Sequence, residues 1–157
     1  MRIVPTAPGR PAGIRLYALP GGEVLASLPP HPGRAVSFLA DGRLVLHRHG
    51  DGGQHLRTLS ADGRQEWSWR FPGAVLIHLG GQPEPHTLLV GTSAGEARTA
   101  YRLDLRTGRR AELGRGLLPV ADPQTAGPAA RLFTTADGDV VEIAEDGTRR
   151  VVLPRRD

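Results

Sequence analysis

The sequence predicts an all-β protein built from repeated antiparallel units, and three observations support this prediction. Turn dipeptides that end in glycine separate short runs of strand-forming residues along the chain. Glycine or proline interrupts nearly every segment that could carry an apolar stripe at helical spacing. The hairpins that result also recur at a nearly constant interval.

The length and composition favour one globular domain that covers residues 1–157. The chain has no cysteine, which excludes disulfides, thiolate metal sites and a cysteine nucleophile. It contains no apolar run long enough to cross a membrane, and its first ten residues lack the layout of a signal peptide. We therefore expect a cytoplasmic protein without a membrane span.

The charge comes from arginine alone: all 20 basic residues are arginine, and the net charge is +4. The absence of lysine and asparagine is typical of a GC-rich bacterial genome. The densest basic stretch, residues 98–115, also contains Asp104 and Glu112, so it is not a continuous phosphate-binding track. We do not expect a nucleic-acid partner, and weak polyanion binding through the arginines stays an alternative.

Four hairpins share one form, in which an apolar strand is followed by a turn ending in glycine and a second strand. They read LYALPGGEVLASL, RTLSADGRQEWSW, YRLDLRTGRRAEL and VEIAEDGTRRVVL. Their turn glycines, Gly22, Gly63, Gly108 and Gly147, are 41, 45 and 39 residues apart. A period of about 40–45 residues with four short strands in each unit is typical of a β-propeller.

The strands between these hairpins complete about four four-stranded antiparallel blades. The predicted blades cover residues 1–30, 34–71, 74–114 and 117–154. Only Arg2–Val4 remains to pair with the first hairpin, so the first blade is expected to be incomplete. The blades could form a closed four-blade ring or half of a ring made by a homodimer. A fragment of a longer propeller and a different all-β fold, such as a sandwich, stay alternatives.

The first and third hairpins resemble the outer hairpin of the pyrroloquinoline-quinone-type (quinoprotein-like) propeller repeat. The match is best at five positions of the third hairpin: Tyr101, Leu103, Asp104, Thr107 and Gly108. The tryptophan that this repeat places four residues after the glycine is present only as Trp67, so the resemblance implies that aromatic docking between blades is mostly absent. WD-repeat propellers are a near alternative, although no hairpin ends in a Trp-Asp pair. The resemblance implies a fold and no particular reaction or cofactor.

Ligands of propellers usually bind where the loops between second and third strands meet the linkers between blades. These segments supply the ligand-binding candidates, which are His31, Arg34, His47, His49, His55, Arg70 and Arg115. His31 and Arg34 could form part of a patch for an anion or another polar ligand. His47 and His49 would point to the same side of an extended strand, with His55 or Asp51 as a third ligand. They are the candidates for a metal site, although we expect solvated histidines and no bound metal.

The other polar and aromatic residues have structural explanations. Asp62, Asp104, Asp137 and Asp146 lie at or beside tight turns, where aspartate caps its own backbone. Trp67 and Trp69 share one face of a strand and are expected to pack between blades.

We therefore expect a non-enzymatic module that uses its loop face to bind a protein or a small polar ligand, without a cofactor or catalytic residues. A propeller enzyme, or the remnant of one, with a site on the propeller axis is the alternative. The enzyme hypothesis requires at least two titratable groups in a deep pocket on the axis.

Overall fold

The computed structural model describes residues 14–17, 20–28 and 34–155. These residues form three four-stranded antiparallel sheets and one two-stranded sheet, together with a single turn of 3-10 helix at Pro128–Arg131. The prediction of an all-β fold made of four-stranded antiparallel units is therefore confirmed. About four blades are expected from the sequence, and three complete four-stranded sheets are present.

The first hairpin is the two-stranded sheet, made of β1 (Ile14–Tyr17) and β2 (Val24–Leu28). Gly22 lies in the turn between them with a φ of 73°, a conformation that favours glycine. The segment Arg2–Val4, which is expected to add a strand here, lies outside the described residues.

Sheet I contains β3 (Arg34–Phe38), β4 (Leu44–Gly50), β5 (Gly53–Leu59) and β6 (Gln65–Pro72). Sheet II contains β7 (Leu76–Leu79), β8 (Thr87–Ala94), β9 (Ala97–Asp104) and β10 (Arg110–Arg115). Sheet III contains β11 (Leu117–Pro119), β12 (Leu132–Thr135), β13 (Val140–Ile143) and β14 (Arg149–Leu153). In each sheet the strands lie side by side in chain order.

The turns adopt the conformations that their glycines predict. The predicted turn glycines Gly63, Gly108 and Gly147 have φ between 71° and 84°, and Gly42 and Gly138, in two further hairpin turns, have φ of 84° and 95°. Aspartates support several of these turns: Asp104 Oδ1 accepts hydrogen bonds from the backbone N–H groups of Arg106 and Thr107. Asp146 Oδ1 likewise accepts one from the N–H of Thr148. These bonds stabilise the charged carboxylates and lower the pKa of Asp104 and of Asp146.

Two layers of the hydrophobic core lie between consecutive sheets, and a third cluster, Leu44, Leu46 and Leu59, lies on the face of sheet I that points away from sheet II. One layer joins sheets I and II, with Val45, Leu56 and Trp69 packed against Leu88 and Leu103. A second layer joins sheets II and III, as expected for stacked sheets that each bury their apolar faces against a neighbour. Its buried members are Leu89, Ala100, Leu117, Phe133, Val141 and Ile143.

The contact between sheets II and III is especially close along β11. A Cβ atom added to Gly91 of β8 would lie 2.7 Å from Pro119 Cδ, and one added to Gly80 would lie 2.6 Å from Pro119 Cβ. These two positions therefore carry glycine because the neighbouring strand occupies the space of a side chain.

The antiparallel order of the strands gives the described molecule two ends. The β4–β5 end carries the β4–β5 and β8–β9 turns and the linkers between sheets. The β7–β8 end carries the β3–β4, β5–β6 and β9–β10 turns and two longer loops, residues 80–86 and 120–131. None of the helical structure in the described part of the chain is long enough to cross a membrane.

Candidate functional site

A row of basic residues crosses sheet I at the β4–β5 end. Arg48 of β4 lies opposite His55 of β5, and His55 lies opposite Arg70 of β6. Arg34 of β3 pairs through its backbone with Arg48, which extends the row to the fourth strand. Arg57 is two residues beyond His55 and therefore shares its face of the sheet. We call the set Arg48, His55, Arg57 and Arg70 the basic patch.

The electrostatic environment of the basic patch is strongly positive. Partial burial lowers the pKa of His55, and the charges of Arg70, Arg48 and Arg57 lower it further. Asp51, in the β4–β5 turn, is the acidic residue that acts in the opposite direction. The neutral imidazole is therefore favoured at neutral pH.

The other two histidines of the predicted cluster lie on the opposite face of the same sheet. His47 pairs with Leu56 and faces sheet II, and burial lowers its pKa. His49 is exposed, and its Nδ1 atom is 3.2 Å from Nε2 of Gln54. The structure therefore does not bring His55 together with His47 and His49. Within residues 14–17, 20–28 and 34–155, no three His, Asp or Glu side chains are grouped as metal ligands.

The remaining predicted site residues are spread over the molecule. Arg115 ends β10 in sheet II, and its exposed guanidinium is 3.9 Å from Glu112. His31 lies outside the described residues. Of the seven predicted candidates, the structure thus places Arg34, His55 and Arg70 in one cross-strand row and adds Arg48, which the predicted set lacks.

A second group of polar residues, at the β7–β8 end, is absent from the sequence prediction. Gln82 is almost fully buried, and its side-chain amide makes two hydrogen bonds with Asp41, at 2.9 and 3.0 Å. Its backbone N–H donates to the carbonyl of Thr125, and its carbonyl accepts from the N–H of Gly127. Gln82 therefore joins loops that belong to all three sheets.

Charged residues extend this group around Gln82. Arg43 contacts Asp41 at 2.6 Å, Glu66 at 2.8 Å and the Nδ1 atom of His86 at 3.1 Å. Glu84 pairs through its two oxygens with Arg102 at 3.1 Å and Arg131 at 2.8 Å. We call the complete set the polar network; its members are Asp41, Arg43, Glu66, Gln82, Glu84, His86, Arg102 and Arg131.

His86 is a strained position within the polar network. Its φ of 62° is the only positive value among the described non-glycine residues. Its carbonyl accepts a hydrogen bond from the N–H of Leu105, and its ring contacts Arg43. His86 also lines a surface cleft of about 510 Å³ whose walls come mostly from sheet II and its loops, including Arg102 and Arg109, with Glu145 from the β13–β14 turn. No periodic pattern in the sequence indicates this loop, because its contacts are made to distant segments.

The two tryptophans pack between sheets I and II, as expected from the sequence. Both lie toward the β7–β8 end. Trp67 Nε1 donates to the carbonyl of Leu105 at 2.8 Å, and Trp69 Nε1 donates to the carbonyl of Gly108 at 2.9 Å. The ring of Trp67 also covers Gly108: a Cβ atom there would lie 2.7 Å from Trp67 Cζ3. Both indoles therefore serve packing between sheets.

Comparison with known proteins supports the fold without identifying a family. No known protein family matches the sequence. No curated protein sequence matches it either. The chain is similar in structure to TolB from Acinetobacter baumannii, a β-propeller protein, with a TM-score of 0.52 and 17% identity over 97% of this chain and 40% of that one.

A protein from Lactobacillus plantarum gives a comparable match, with a TM-score of 0.53 and 15% identity over 90% of this chain and 50% of that one. The chain thus spans half or less of the length of each of these solved structures. At such low identity the likeness concerns the fold alone, and it indicates stacked sheets of the β-propeller type.

Proposed function

We propose that this chain is a propeller-type interaction module, organised as one domain over residues 1–157, whose ring is completed by a second copy of the same chain. The proposal depends chiefly on one observation, the outer face of sheet III. Strands of sheet II pack against the inner face of sheet III. The outer face of sheet III points away from them. In the described part of the chain, no element covers the outer face.

The composition of this outer face is that of an interface. Val120, directly after β11, is 50% exposed, and Leu153 of β14 is 60% exposed. Leu132 and Val140 lie between them on the same face and are partly exposed. An ion pair of 2.6 Å between Glu142 and Arg150 borders the apolar residues. Exposed apolar residues grouped on one face, with a charged pair beside them, are typical of protein–protein contacts.

The length comparison favours a second copy as the occupant. The chain matches half of the Lactobacillus plantarum structure, so two copies would contain about as many residues as that chain. Each sheet III face could then pack against the first hairpin of the partner, which gives two equivalent contacts related by a twofold axis. In this assembly the loop faces of both copies stay accessible to a protein or a small polar ligand.

Size-exclusion chromatography with light scattering tests the proposal directly. We expect a particle of twice 16.8 kDa for the unmodified chain. Leu153→Arg places a charge in the interface and should convert the dimer to the monomer. Leu76→Arg is the matched control, because Leu76 is 57% exposed and lies on β7 of sheet II.

Two results would contradict the proposal. One is a compact monomer at all protein concentrations, which would favour a ring closed by one chain. The other is an equal loss of dimer in Leu153→Arg and Leu76→Arg, which would place the contact elsewhere.

A further inference from the structure

The basic patch has a geometry that suits a multiply charged anion. Arg48, His55 and Arg70 are direct neighbours on three adjacent strands. Adjacent strands are about 4.8 Å apart, so the backbone positions of the three residues span only about 10 Å. Their side chains project from one face, and Arg57 lies beside them along β5. An anion above this face is within reach of several guanidinium groups at once.

The charge of the basic patch is not neutralised by neighbouring acids. Within the described residues, Arg48, Arg57 and Arg70 take part in no ion pair, unlike the arginines of the polar network. Asp51 is the one acid that acts on His55. The chain before Asp41 contains a single acid, Glu23, against four arginines. Among the described residues, Asp51 therefore offsets only part of the positive charge around His55.

Arg48 is the member that most clearly lacks a partner. Its Nε atom is buried and makes no hydrogen bond to any described residue. Gly50 leaves room for the side chains of His55 and Arg48. A Cβ atom at Gly50 would lie 3.1 Å from the ring of His55 and 3.9 Å from Arg48 Cζ. A buried donor without an acceptor is unfavourable, and a bound oxyanion would supply the acceptor.

We propose that the basic patch is a binding site for a phosphate monoester group, held by Arg48, Arg57 and Arg70 with His55 beneath it. Guanidinium groups bind phosphate through paired hydrogen bonds, which favours arginine over lysine at such sites. A phosphate monoester carries close to two negative charges at neutral pH. It therefore matches a cluster of three arginines better than a carboxylate with one charge. The site lies on sheet I and does not depend on the proposed contact of sheet III.

Binding of a dianion should also change the titration of His55. The groups that face this ring are Arg48 from β4, Arg57 from β5, Arg70 from β6 and Asp51 from the β4–β5 turn. A bound phosphate adds negative charge beside the ring, so the pKa of His55 rises on binding. By linkage, binding of the dianion and protonation of His55 favour each other.

The test is an NMR titration of the full chain with inorganic phosphate and with phenyl phosphate, at constant ionic strength and with acetate as the comparison anion. We expect saturable shifts of the His55 ring signals and of the Arg48 and Arg70 side-chain signals with both phosphates. Acetate should bind at least about tenfold more weakly, because it offers one charge instead of two. The pKa of His55 should be higher in saturating phosphate than in acetate.

Two charge-matched variants sharpen the test. Arg70→Gln removes an exposed arginine of the basic patch and should weaken phosphate binding about tenfold. Arg64→Gln removes an arginine that is 82% exposed in the β5–β6 turn at the opposite end, and should leave binding unchanged. Equal affinities for phosphate and acetate, or equal affinities of the two variants for phosphate, would overturn the proposal.

Discussion

The two ends of the molecule are built in contrasting ways. At the β7–β8 end, carboxylates, arginines and the amide of Gln82 form ion pairs and hydrogen bonds with one another in the polar network, and two indoles join sheets I and II. At the β4–β5 end, arginines of neighbouring strands lie side by side without acidic partners among the described residues. The charged groups of the polar network form ion pairs within the protein, whereas Arg48, Arg57 and Arg70 of the basic patch form none with the described residues.

With the proposed anion site on the basic patch, the two ends of the molecule divide stability and binding between them. Contacts between distant loops hold the sheets in place at the β7–β8 end, so the β4–β5 end can carry uncompensated charge. Substitutions at the β7–β8 end should therefore change stability, while those at the β4–β5 end should change titration and ligand affinity.

The largest effect is expected from Gly108→Ala at the β7–β8 end. The substitution forces a side chain into the space of the Trp67 ring at a residue with φ of 71°. Strain and overpacking together should lower the free energy of unfolding by about 3 kcal/mol, measured by chemical denaturation. Gly147→Ala is the control, because Gly147 has φ of 84° but open space around it. Its loss should be about 1 kcal/mol, and equal losses would mean that the Trp67 contact is dispensable.

A smaller effect is expected from Gln82→Leu. The leucine keeps the volume but removes both hydrogen bonds to Asp41, whose carboxylate then loses a buried partner. The expected loss is about 2 kcal/mol in the free energy of unfolding. Gln124→Leu, at an exposed position of the 120–131 loop, should stay within about 0.5 kcal/mol of the unmodified chain. A Gln82→Leu variant as stable as this control would show that the polar network does not hold the loops together.

The smallest effect concerns pH. Burial lowers the pKa of His47 in the folded protein, so the unfolded chain binds the proton more readily. The free energy of unfolding should therefore fall as the pH decreases from 7 through the usual histidine range, and level off once the folded state is also protonated. His47→Gln should reduce this slope, as measured by denaturation at several pH values. The exposed His49 provides the comparison. If His49→Gln reduced the pH dependence of the free energy of unfolding more than His47→Gln does, the attribution of this dependence to His47 would be wrong.

Local signals in the sequence account for most of the sheets. Glycine at the hairpin turns and alternation along the strands depend on neighbouring residues, and the structure reproduces them at positions such as Gly63 and Gly147. The basic patch was only partly foreseeable, since Arg48 and His55 become neighbours through strand pairing, and one step of register would place them on opposite faces.

The polar network could not be predicted, for a related reason. Gln82 and Asp41 are 41 residues apart, and neither stands in a pattern that marks a partner. Loops carry no periodicity, so their contacts become visible only when the sheets are placed side by side.

The two glycines at which sheet II contacts β11, Gly80 and Gly91, restrict which repeat can stand next to which in this chain. The repeats share the same four-stranded topology. The strand Leu117–Pro119, however, fits only against a neighbouring sheet that has glycine at those two positions. A unit copied or exchanged from elsewhere in the chain would have to bring matching glycines with it. The units are therefore not interchangeable, and shape constrains their order along the polypeptide.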